Sequence, residues 1–368
     1  MIVLTCAAAV AGIGFGVAST TAPGNSDNFA CSANGANASR HVTVTDVSSN
    51  GSGDDYSAIQ NAINTAGRLG GGIVTLRAGT FMVNGHLTLR NNVELTGMGP
   101  ATVIKAGPRF LATESPTGGY PLVTTGGATN TTIADLTADQ SGDTLNGNTP
   151  ARLAGYVIEG RNSNNVVVNH VYVRNPFTYS ITMVGTKNFC IENSSVRVTD
   201  SNRYNQLDGI HILDSSHGEV INNVIQSGDD GLVAHTIKSS VHDILYALNN
   251  VHGGAAADGM QLALGDFPIY DIKIENNNFY GSRFGIRTGY YDHRNGAVSN
   301  ILISGNNIHS LAQGGQHAAI AIGGFGGIGP IAHVILKDNQ ACDAGTVSVQ
   351  PGPGNAVSGT ARCQGTER

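Results

Sequence analysis

The sequence predicts an all-β fold, a single-stranded right-handed parallel β-helix (β-solenoid) with a capping α-helix at its N-terminus. Two β-rich segments recur through residues 155–340 at intervals of 22 to 34 residues. The composition agrees, because 50 of 368 residues are Gly, only 12% are charged and Trp is absent, which suits short strands and tight turns. In a solenoid, each coil buries its inward side chains only by stacking on neighbouring coils.

The first repeated segment is a β-rich run that ends in Asn. Such a residue fits an internal ladder at a turn, in which each side-chain amide bonds the next coil. The regular L-x-x-L-x-L frame of a leucine-rich repeat is absent. The ladder is predicted at Asn169, Asn193, Asn222, Asn249, Asn277, Asn306 and Asn339.

The second repeated segment is a turn that leads into a short apolar strand. It alternates with the first segment, so each coil should hold at least two strands. These segments begin at Gly155, Tyr179, Asp208, Asp230, Asp258, Phe284 and Ala318.

Residues 54–67 predict one amphipathic helix, with Asp54 or Asp55 as its N-cap and Gly67 at its end. A helix at this place would cover the open first coil, whose backbone edge and core are otherwise exposed. The apolar residues at helical spacing are Ala58, Ile59, Ala62, Ile63 and Ala66.

The N-terminal segment of the chain predicts export. Residues 1–24 contain an apolar run of small residues followed by TTAPGNS, which is typical of a secretory signal, although the basic start is missing; a buried N-terminal strand is the alternative. Residues 25–41 would be a linker and 42–368 a single β-helix domain. The protein would then be secreted or periplasmic, with no membrane association after signal removal, since no later segment approaches the ~20 apolar residues of a membrane span.

Export would place the cysteines in an oxidising compartment. Cys342 and Cys363 are close in sequence and should staple the C-terminal tail, whereas Cys190 is predicted to be a buried free thiol, with pairing to Cys31 left open. No close C-x-x-C pair is present, so zinc is not expected. No metal or other cofactor is assigned, with calcium bound by oxygen ligands in an acidic groove left open. The net charge of −6 gives no reason to expect nucleic acid as a partner.

The strongest chemical signal is a group of three aspartates. Asp208 and Asp230 are 22 residues apart, one short coil, so they should lie side by side on backbones ~4.8 Å apart, with Asp229 directed differently. Crowded carboxylates raise at least one pKa. Glycoside hydrolysis needs one protonated carboxyl to donate to the leaving oxygen and one ionised carboxylate to activate water or attack.

Period-two alternation places further side chains on the same outward face. The predicted partner is a polysaccharide or oligosaccharide, and exposed histidines at positions 211 and 235 should touch it. The Asp-Gly pairs at the strand starts also have a purely structural explanation, because both residues favour turns. For Arg287, pairing with Asp258 across coils is the alternative to substrate contact. The outward residues assigned to substrate are His211, His235, Asp258, Gln261, Arg287, Tyr290 and Tyr291. Five other histidines, His170, His217, His242, His252 and His309, are expected to be scattered and solvated.

The N-terminal segments DDYSAIQNAINTAG, GGGIVTLRAGTF and LTLRNNVELTGMG resemble the opening of the pectate-lyase-like β-helix superfamily. This resemblance covers residues 42–105 and implies the fold.

Residues 207–240 resemble the catalytic region of the polygalacturonase family of glycoside hydrolases, which carries an Asp in an N-T-D segment and an Asp pair one coil later. The resemblance implies an inverting hydrolysis with Asp229 as general acid and with Asp208 and Asp230 positioning water. The segment Ile237–Ser239 is similar to that of exo-acting members and adds Lys238 to the predicted substrate contacts.

Two departures from that family bear on the substrate. Its G-H-G motif is Ala257-Asp258-Gly259 here, and its R-I-K motif is Arg287-Thr288-Gly289, which loses a lysine that helps to hold a substrate carboxylate. Adjacent coils also predict a carboxyl separation below the ~6.5–9.5 Å usual for inverting enzymes, so retention stays open.

Two alternatives to the hydrolase remain. A polysaccharide lyase or C5-epimerase would abstract the proton next to a uronate carboxyl. The Y-x-x-D-P-H segment of the epimerases would fall at Tyr179, where Thr182 and Val184 replace the acid and the histidine. The second alternative is a non-enzymatic glycan-binding β-helix.

Overall fold

The computed structural model of the chain describes residues 44–51, 53–112, 119–145, 155–198, 206–290, 296–312, 317–323, 329–342 and 345–363. The predicted signal peptide and the predicted linker lie outside these residues, as does Cys31, and they stay predictions.

The described residues form two α-helices, one 3₁₀ turn at Phe110–Ala112 and 31 short strands. In chain order the elements are β1 (Val44–Val47), α1 (Tyr56–Arg68), β2 (Gly72–Leu76), β3 (Gly79–Val83), β4 (Leu87–Thr88), β5 (Val93–Thr96), β6 (Thr102–Ala106), β7 (Val123–Thr124), β8 (Thr129–Asp139), α2 (Gly142–Leu145), β9 (Ile158–Arg161), β10 (Asn164–Arg174), β11 (Ile181–Val184), β12 (Lys187–Glu192), β13 (Ser195–Arg197), β14 (Ile210–Leu213), β15 (Ser216–Ile221), β16 (Val224–Gln226), β17 (Leu232–His235), β18 (Val241–Ala247), β19 (Asn250–His252), β20 (Asp258–Leu264), β21 (Ile269–Glu275), β22 (Asn278–Tyr280), β23 (Phe284–Tyr290), β24 (Val298–Ser304), β25 (Asn307–His309), β26 (Ile320–Ile322), β27 (Ile331–Lys337), β28 (Gln340–Cys342), β29 (Val347–Val349), β30 (Ala356–Ser358) and β31 (Ala361–Cys363).

The strands stack as a parallel β-helix, which confirms the predicted fold. From β14 onward each coil contributes three strands, one to a 10-stranded sheet and two to a 21-stranded sheet that turns a corner. Strand β10 runs across that corner, because it pairs with both β12 and β13. The sequence predicted at least two strands per coil, and the third is the short strand that follows the ladder asparagine.

Period-two alternation fills the interior with stacked apolar side chains. In the 10-stranded sheet, Ile181, Ile210, Leu232, Met260 and Ile286 occupy one register position on five successive coils, and each is fully buried. Each strand therefore directs its alternate residues outward, to the face on which the site lies.

The predicted asparagine ladder is present in the C-terminal half. Asn277 illustrates it: its Nδ2 donates to Tyr246 O and to Asn306 Oδ1, and its Oδ1 accepts from the backbone N–H and the amide of Asn249. These contacts satisfy the turn backbone inside the solenoid. The buried rungs are Asn223, Asn249, Asn277, Asn306 and Asn339.

The ladder prediction was wrong for three residues. Asn169, Asn193 and Asn222 form a separate, partly exposed row, joined by bonds of 3.1 and 2.7 Å between their amides. The inward position belongs to the next residue along the chain, which is Asn223 on one coil and Ser194 on the preceding coil, where the Ser194 N–H donates to Asn223 Oδ1. Adjacent Asn residues made the two rows indistinguishable in the sequence.

A second row of special backbone runs along the 21-stranded sheet. On each coil one residue is skipped between paired positions; for example, Ser216 pairs with His242 and Gly218 with Ile244, while His217 has no Cα partner. The skipped residues have φ between 50° and 59°, a left-handed conformation that favours Asn, Asp and His among residues with side chains. We call this row the bulge column; it comprises Asn130, Asn165, Asn188, His217, Asp243, Asp271, Asn300 and His333.

Helix α1 packs on the first strands through Ile59, Ile63 and Ala66, each fully buried. Asp55 occupies the N-cap position, but its carboxylate accepts from Asn50 N and Met82 N and so anchors the preceding loop. Neither helix of the described part of the chain is long and apolar enough to cross a membrane.

The cysteines differ in part from expectation. Cys190 is fully buried, as predicted, but it is disulfide-bonded, so the expected free thiol was wrong. Burial alone could not distinguish the two states. Cys342 is also disulfide-bonded and lies opposite Cys363 in the register of β28 and β31, as a stapled tail requires.

Candidate functional site: a row of aspartates at the strand starts

The site is a row at one register position, two residues before the first inward apolar residue of each strand in the 10-stranded sheet. The Gly209 N–H donates to Asp230 O and the Gly231 N–H donates to Asp258 O, both at 2.9 Å, which places Asp208, Asp230 and Asp258 on three consecutive coils. The predicted row of aspartates is therefore present. Its members in chain order are Tyr156, Tyr179, Asp208, Asp230, Asp258 and Phe284.

The glycine that follows each aspartate has a structural cause. A Cβ on Gly209 would lie 2.4 Å from Gly231 O, and one on Gly231 would lie 2.7 Å from Gly259 O. The close approach of adjacent coils thus requires Gly after Asp208 and Asp230. It does not require Asp in the row, because Phe284 precedes Gly285 at the same position. A structural explanation therefore accounts for the Gly of each Asp-Gly pair but not for the Asp.

The three predicted catalytic aspartates converge. One carboxylate oxygen from each of Asp208, Asp229 and Asp230 lies within 4.8 Å of the others. Asp208 is buried, whereas Asp229 and Asp230 are half-buried. The separation is below the ~6.5–9.5 Å usual for inverting glycosidases and close to the ~5–5.5 Å usual for retaining ones. It departs from the geometry expected for the inverting outcome that the sequence resemblance implies.

The cluster holds protons to unusually high pH. Burial, reinforced by the charge of Asp258, raises the pKa of Asp208 to about 8. Burial and the charges of Asp208 and Asp258 raise the pKa of Asp229 to about 7. Burial and its three acidic neighbours raise the pKa of Asp230 well above its ordinary value. Near neutral pH the cluster therefore titrates as a unit that is partly protonated.

The same three residues offer oxygen ligands of the kind that Ca²⁺ takes. Ca²⁺ usually collects six to eight such oxygens, so three side chains would leave much of its coordination to water or substrate.

A hydrogen-bonded chain of two imidazoles extends from Asp208. His211 Nδ1 lies 2.6 Å from Asp208 Oδ2, and His211 Nε2 lies 3.0 Å from His235 Nδ1. Burial lowers the pKa of both histidines to about 3, so both rings are neutral. A neutral His211 either donates to ionised Asp208 or accepts from protonated Asp208, and the tautomers of both rings change together between these two states.

The predicted exposure of these histidines was wrong. Both point away from the solenoid core, as alternation requires, but His211 is 3% and His235 5% exposed. Tyr179 covers His211, with ring centroids 4.2 Å apart and planes 9° apart. The sequence alone does not show that a side chain on a neighbouring coil shields the histidine ring from solvent.

Asp258 and Arg287 form a buried ion pair one coil beyond Asp230. Arg287 Nη2 and Nε lie 2.8 and 2.9 Å from Asp258 Oδ2, and Gln261 Nε2 donates to the same oxygen at 2.9 Å. The Asp258 side chain is fully enclosed, and its N–H donates to Asp230 Oδ1 at 2.7 Å. The pairing across coils that the sequence left as an alternative is therefore present. It neutralises the cation of Arg287.

Other predicted substrate contacts stay predictions. Lys238 is exposed and lies past the opposite end of β17 from Asp230, in a turn whose N–H groups donate to the Asp214 carboxylate. The Tyr290 side chain and all of Tyr291 lie outside the described residues.

Sequence reasoning missed the aromatic part of the row. Tyr156 and Tyr179 stack with centroids 5.3 Å apart and planes 4° apart, on the two coils that precede Asp208. Next to them, Glu159 is fully buried and pairs with Arg161 at 2.6 Å. The sequence contained a signal for them. Aligning all copies of the second repeated segment on their apolar strands places these tyrosines in register with the aspartates.

Replacing Asp230 by Asn is expected to stabilise the folded protein at pH 8 and to have little effect on stability at pH 4. A carboxyl whose native pKa is raised stabilises the fold fully below its unfolded-state pKa of ~4, and this contribution is lost as pH rises through the native pKa. Asn stays neutral and keeps an oxygen for the Asp258 N–H. We expect a gain on the order of 2 kcal/mol at pH 8, measured by urea denaturation.

The control is Asp271→Asn on the bulge column, which should show no such pH-dependent gain. An equal change for Asp230→Asn at both pH values would contradict the electrostatic explanation.

Comparisons with known proteins agree with this architecture. A model of the family described as rhamnogalacturonase A/epimerase, pectate lyase-like, matches residues 39–314. Mannuronan C5-epimerase AlgE1 from Azotobacter vinelandii is 30% identical over 244 residues, which are 62% of this chain and 16% of that protein. The chain thus spans about a sixth of the length of this relative.

Solved structures show the shared fold. The exopolygalacturonase of Thermotoga maritima superposes with a TM-score of 0.61 at 18% identity, over 81% of each chain. The A-module of mannuronan C5-epimerase AlgE6 from Azotobacter vinelandii gives a TM-score of 0.52 at 20% identity, over 86% of this chain and 97% of that one. At these identities the likeness concerns the fold.

Proposed function

Since the chain belongs to the rhamnogalacturonase A/epimerase family of pectate-lyase-like proteins, we propose that it is a polysaccharide-acting enzyme, and specifically a glycoside hydrolase that uses Asp208, Asp229 and Asp230. The observation that carries the hydrolase proposal is the convergence of three carboxyl groups with raised pKa values in an outward row. Such a cluster supplies a proton donor and a proton acceptor at neutral pH.

Asp229 suits the role of general acid. Its carboxyl is half-exposed, so it can reach a substrate, and with a pKa of about 7 it is about half protonated at neutral pH and more fully protonated below it. It would give that proton to the glycosidic oxygen as the bond from the anomeric carbon to that oxygen breaks. The rate should then fall as pH rises above about 7, because the acid loses its proton.

Asp208 and Asp230 are assigned the acceptor role. Burial raises the pKa of both, so the reactive state is the one in which the coupled cluster keeps a proton on Asp229 while one carboxylate of this pair is ionised. A water molecule attacking the anomeric carbon must release one proton, and an ionised carboxylate in this pair would take it. The hydrogen-bonded series of Asp208, His211 and His235 favours the acceptor role. Its neutral imidazoles can shift tautomer, so Asp208 can exist with or without its proton.

The proposed substrate is a uronate-containing, pectin-like polysaccharide. The stacked rings of Tyr156 and Tyr179 continue the row on one side of the aspartates; since Tyr179 is stacked between Tyr156 and His211, it offers a glycan its ring edge and not a ring face. The family description supports a pectic polymer. Because Asp258 neutralises Arg287, a sugar carboxylate would bind weakly at the coil of Arg287. We therefore expect the uronate to bind at another coil.

The test is incubation of the full chain with polygalacturonan, rhamnogalacturonan and mannuronan. New reducing ends without absorbance from unsaturated uronate would support hydrolysis, and that absorbance would instead show a lyase. Binding to a glycan with no product would favour the non-enzymatic glycan-binding alternative.

A second candidate function is uronate C5-epimerisation, or the related lyase reaction. Two observations favour it: the 30% identity to a mannuronan C5-epimerase, and the neutral His211 ring that lies against Tyr179, the position where the epimerase segment begins. Exchange of solvent deuterium into C5 of mannuronan, abolished by Tyr179→Phe, would establish this function. Under the hydrolase proposal, Tyr179→Phe keeps the stacked ring and retains most of the cleavage activity.

A further inference from the structure

A second group of ionisable side chains lies on the 21-stranded sheet, outside the aspartate row. One potential ligand atom from each of His217, His242 and Asp243 lies within 4.8 Å of the others. The sequence predicted these histidines to be scattered and solvated. Instead, β15 and β18 bring two of them together, on adjacent coils, beside a carboxylate.

The bulge column explains why these side chains meet. Its left-handed residues direct their side chains outward, and elsewhere along the row amides link neighbouring coils: Asn165 Nδ2 donates to Asn130 Oδ1 at 2.8 Å and Asn300 Nδ2 to Asp271 Oδ1 at 2.7 Å. Between these links the column holds an imidazole and a carboxylate instead. His217 Nε2 lies 3.7 Å from Asp243 Oδ2, which is longer than a hydrogen bond.

The second histidine joins from the neighbouring register position. His242 Nδ1 lies 2.6 Å from Asp243 Oδ2, and the rings of His217 and His242 are 5.2 Å apart at 77°. The His242 ring is itself held flat against Tyr270, with centroids 4.6 Å apart. Two imidazole nitrogens and one carboxylate oxygen thus lie within 4.8 Å of one another.

The surroundings of His217 match those of a metal-ligating histidine. Its Nδ1 is 3.0 Å from Ser216 Oγ, which leaves Nε2 as the nitrogen on the side of Asp243. In metal sites the ring nitrogen opposite the ligating one is normally held by an oxygen in this way. The side chains are 34%, 22% and 29% exposed for His217, His242 and Asp243, so an ion can enter from solvent and keep a water ligand.

We propose that His217, His242 and Asp243 bind one divalent first-row transition ion, with Zn²⁺ as the probe. Zn²⁺ takes imidazole nitrogen and carboxylate oxygen at about 2.0–2.2 Å in a tetrahedral arrangement, and three protein ligands leave one position for water. The ion would replace the hydrogen bond from His242 to Asp243 and would join two consecutive coils. The site differs in chemistry from the aspartate row, which offers oxygen ligands alone.

The test is a calorimetric titration of Zn²⁺ into the full chain at pH 7.5, since metal binding requires deprotonated ligands and is weakened by acid. We expect one equivalent to bind and His217→Asn and His242→Gln each to weaken its affinity at least about tenfold. Asn is the residue found at neighbouring positions of the bulge column, so His217→Asn should keep the fold, and circular dichroism checks this.

Two controls separate the proposed site from other sites. His170 and Asp135 form a cross-coil pair at 3.7 Å that belongs to no group of three among the described residues, so His170→Ala should leave Zn²⁺ affinity unchanged. Asp229→Asn should leave it unchanged as well. The proposal is overturned if His217→Asn and His242→Gln bind Zn²⁺ as tightly as the wild type does. It is also overturned if His170→Ala weakens Zn²⁺ binding as much as they do, or if Asp229→Asn is the one variant that weakens it.

An independent readout is the unfolding temperature. Zn²⁺ that binds the folded state alone must raise it for the wild type, and must raise it less for both variants. Equal shifts in all proteins would place the ion elsewhere and overturn the proposal.

Discussion

Asp229→Asn is expected to lower kcat for glycan cleavage by about 10²–10⁴, the usual contribution of a positioned general acid. The carboxyl of Asp229 is half-exposed beside two other carboxyls, and burial with its neighbours' charges raises its pKa to about 7. Asn keeps the shape and hydrogen-bonding capacity of the protonated side chain but cannot transfer a proton. The measurement is kcat, with KM, on the glycan that the substrate panel identifies.

The matched control is Asp271→Asn, the same chemical change on the bulge column, where Asn occurs on other coils. It should leave both kcat and KM unchanged. Asp229→Asn should also retain its circular dichroism spectrum and substrate binding, since the substitution removes a proton donor and not a structural contact. A kcat within tenfold of the wild type would reject Asp229 as the acid.

Asn277→Ala is expected to cost about 3–5 kcal/mol in free energy of unfolding. Asn277 is a central rung of the buried ladder, and its amide both donates to and accepts from groups on adjacent coils. Alanine would leave the Asn249 N–H, the Tyr246 carbonyl and the Asn306 amide oxygen short of a partner, and each unsatisfied buried group costs about 1–3 kcal/mol.

Its neighbour in sequence, Asn278, provides the control. Asn278 belongs to a half-exposed row, in which its amide donates to Asn250 Oδ1 and accepts from Asn307 Nδ2. Water can replace those bonds, so Asn278→Ala should cost under about 1 kcal/mol. Urea denaturation of both variants makes the comparison, and equal losses would show that burial of the ladder does not determine its contribution.

The fold and the centre of the site could be predicted from the sequence because both depend on spacing. The 22 residues from Asp208 to Asp230 fix one coil, and alternation fixes which side chains face outward. The same reasoning located Asp258 on the next coil. The capping helix, predicted at 54–67, runs from Tyr56 to Arg68.

What could not be predicted depends on contacts between coils. The cover of His211 by Tyr179 and the choice of Asn223 over Asn222 for the inward row both require knowing which residue lies on the neighbouring coil. Cys190 shows the same limit, because its strand position predicted burial correctly but not its disulfide. Alternation gives the direction of a side chain, and only the stacked coil gives its environment.

The glycine that follows the row has an evolutionary consequence. Because Gly209, Gly231 and Gly285 carry the steric demand of close coil packing, the residue before each one is free to vary, and it is Asp, Asp and Phe respectively. One substitution can therefore give a coil a new chemical character while the scaffold is unchanged. A lineage can thus acquire a new substrate specificity by changing the residues of the row one coil at a time.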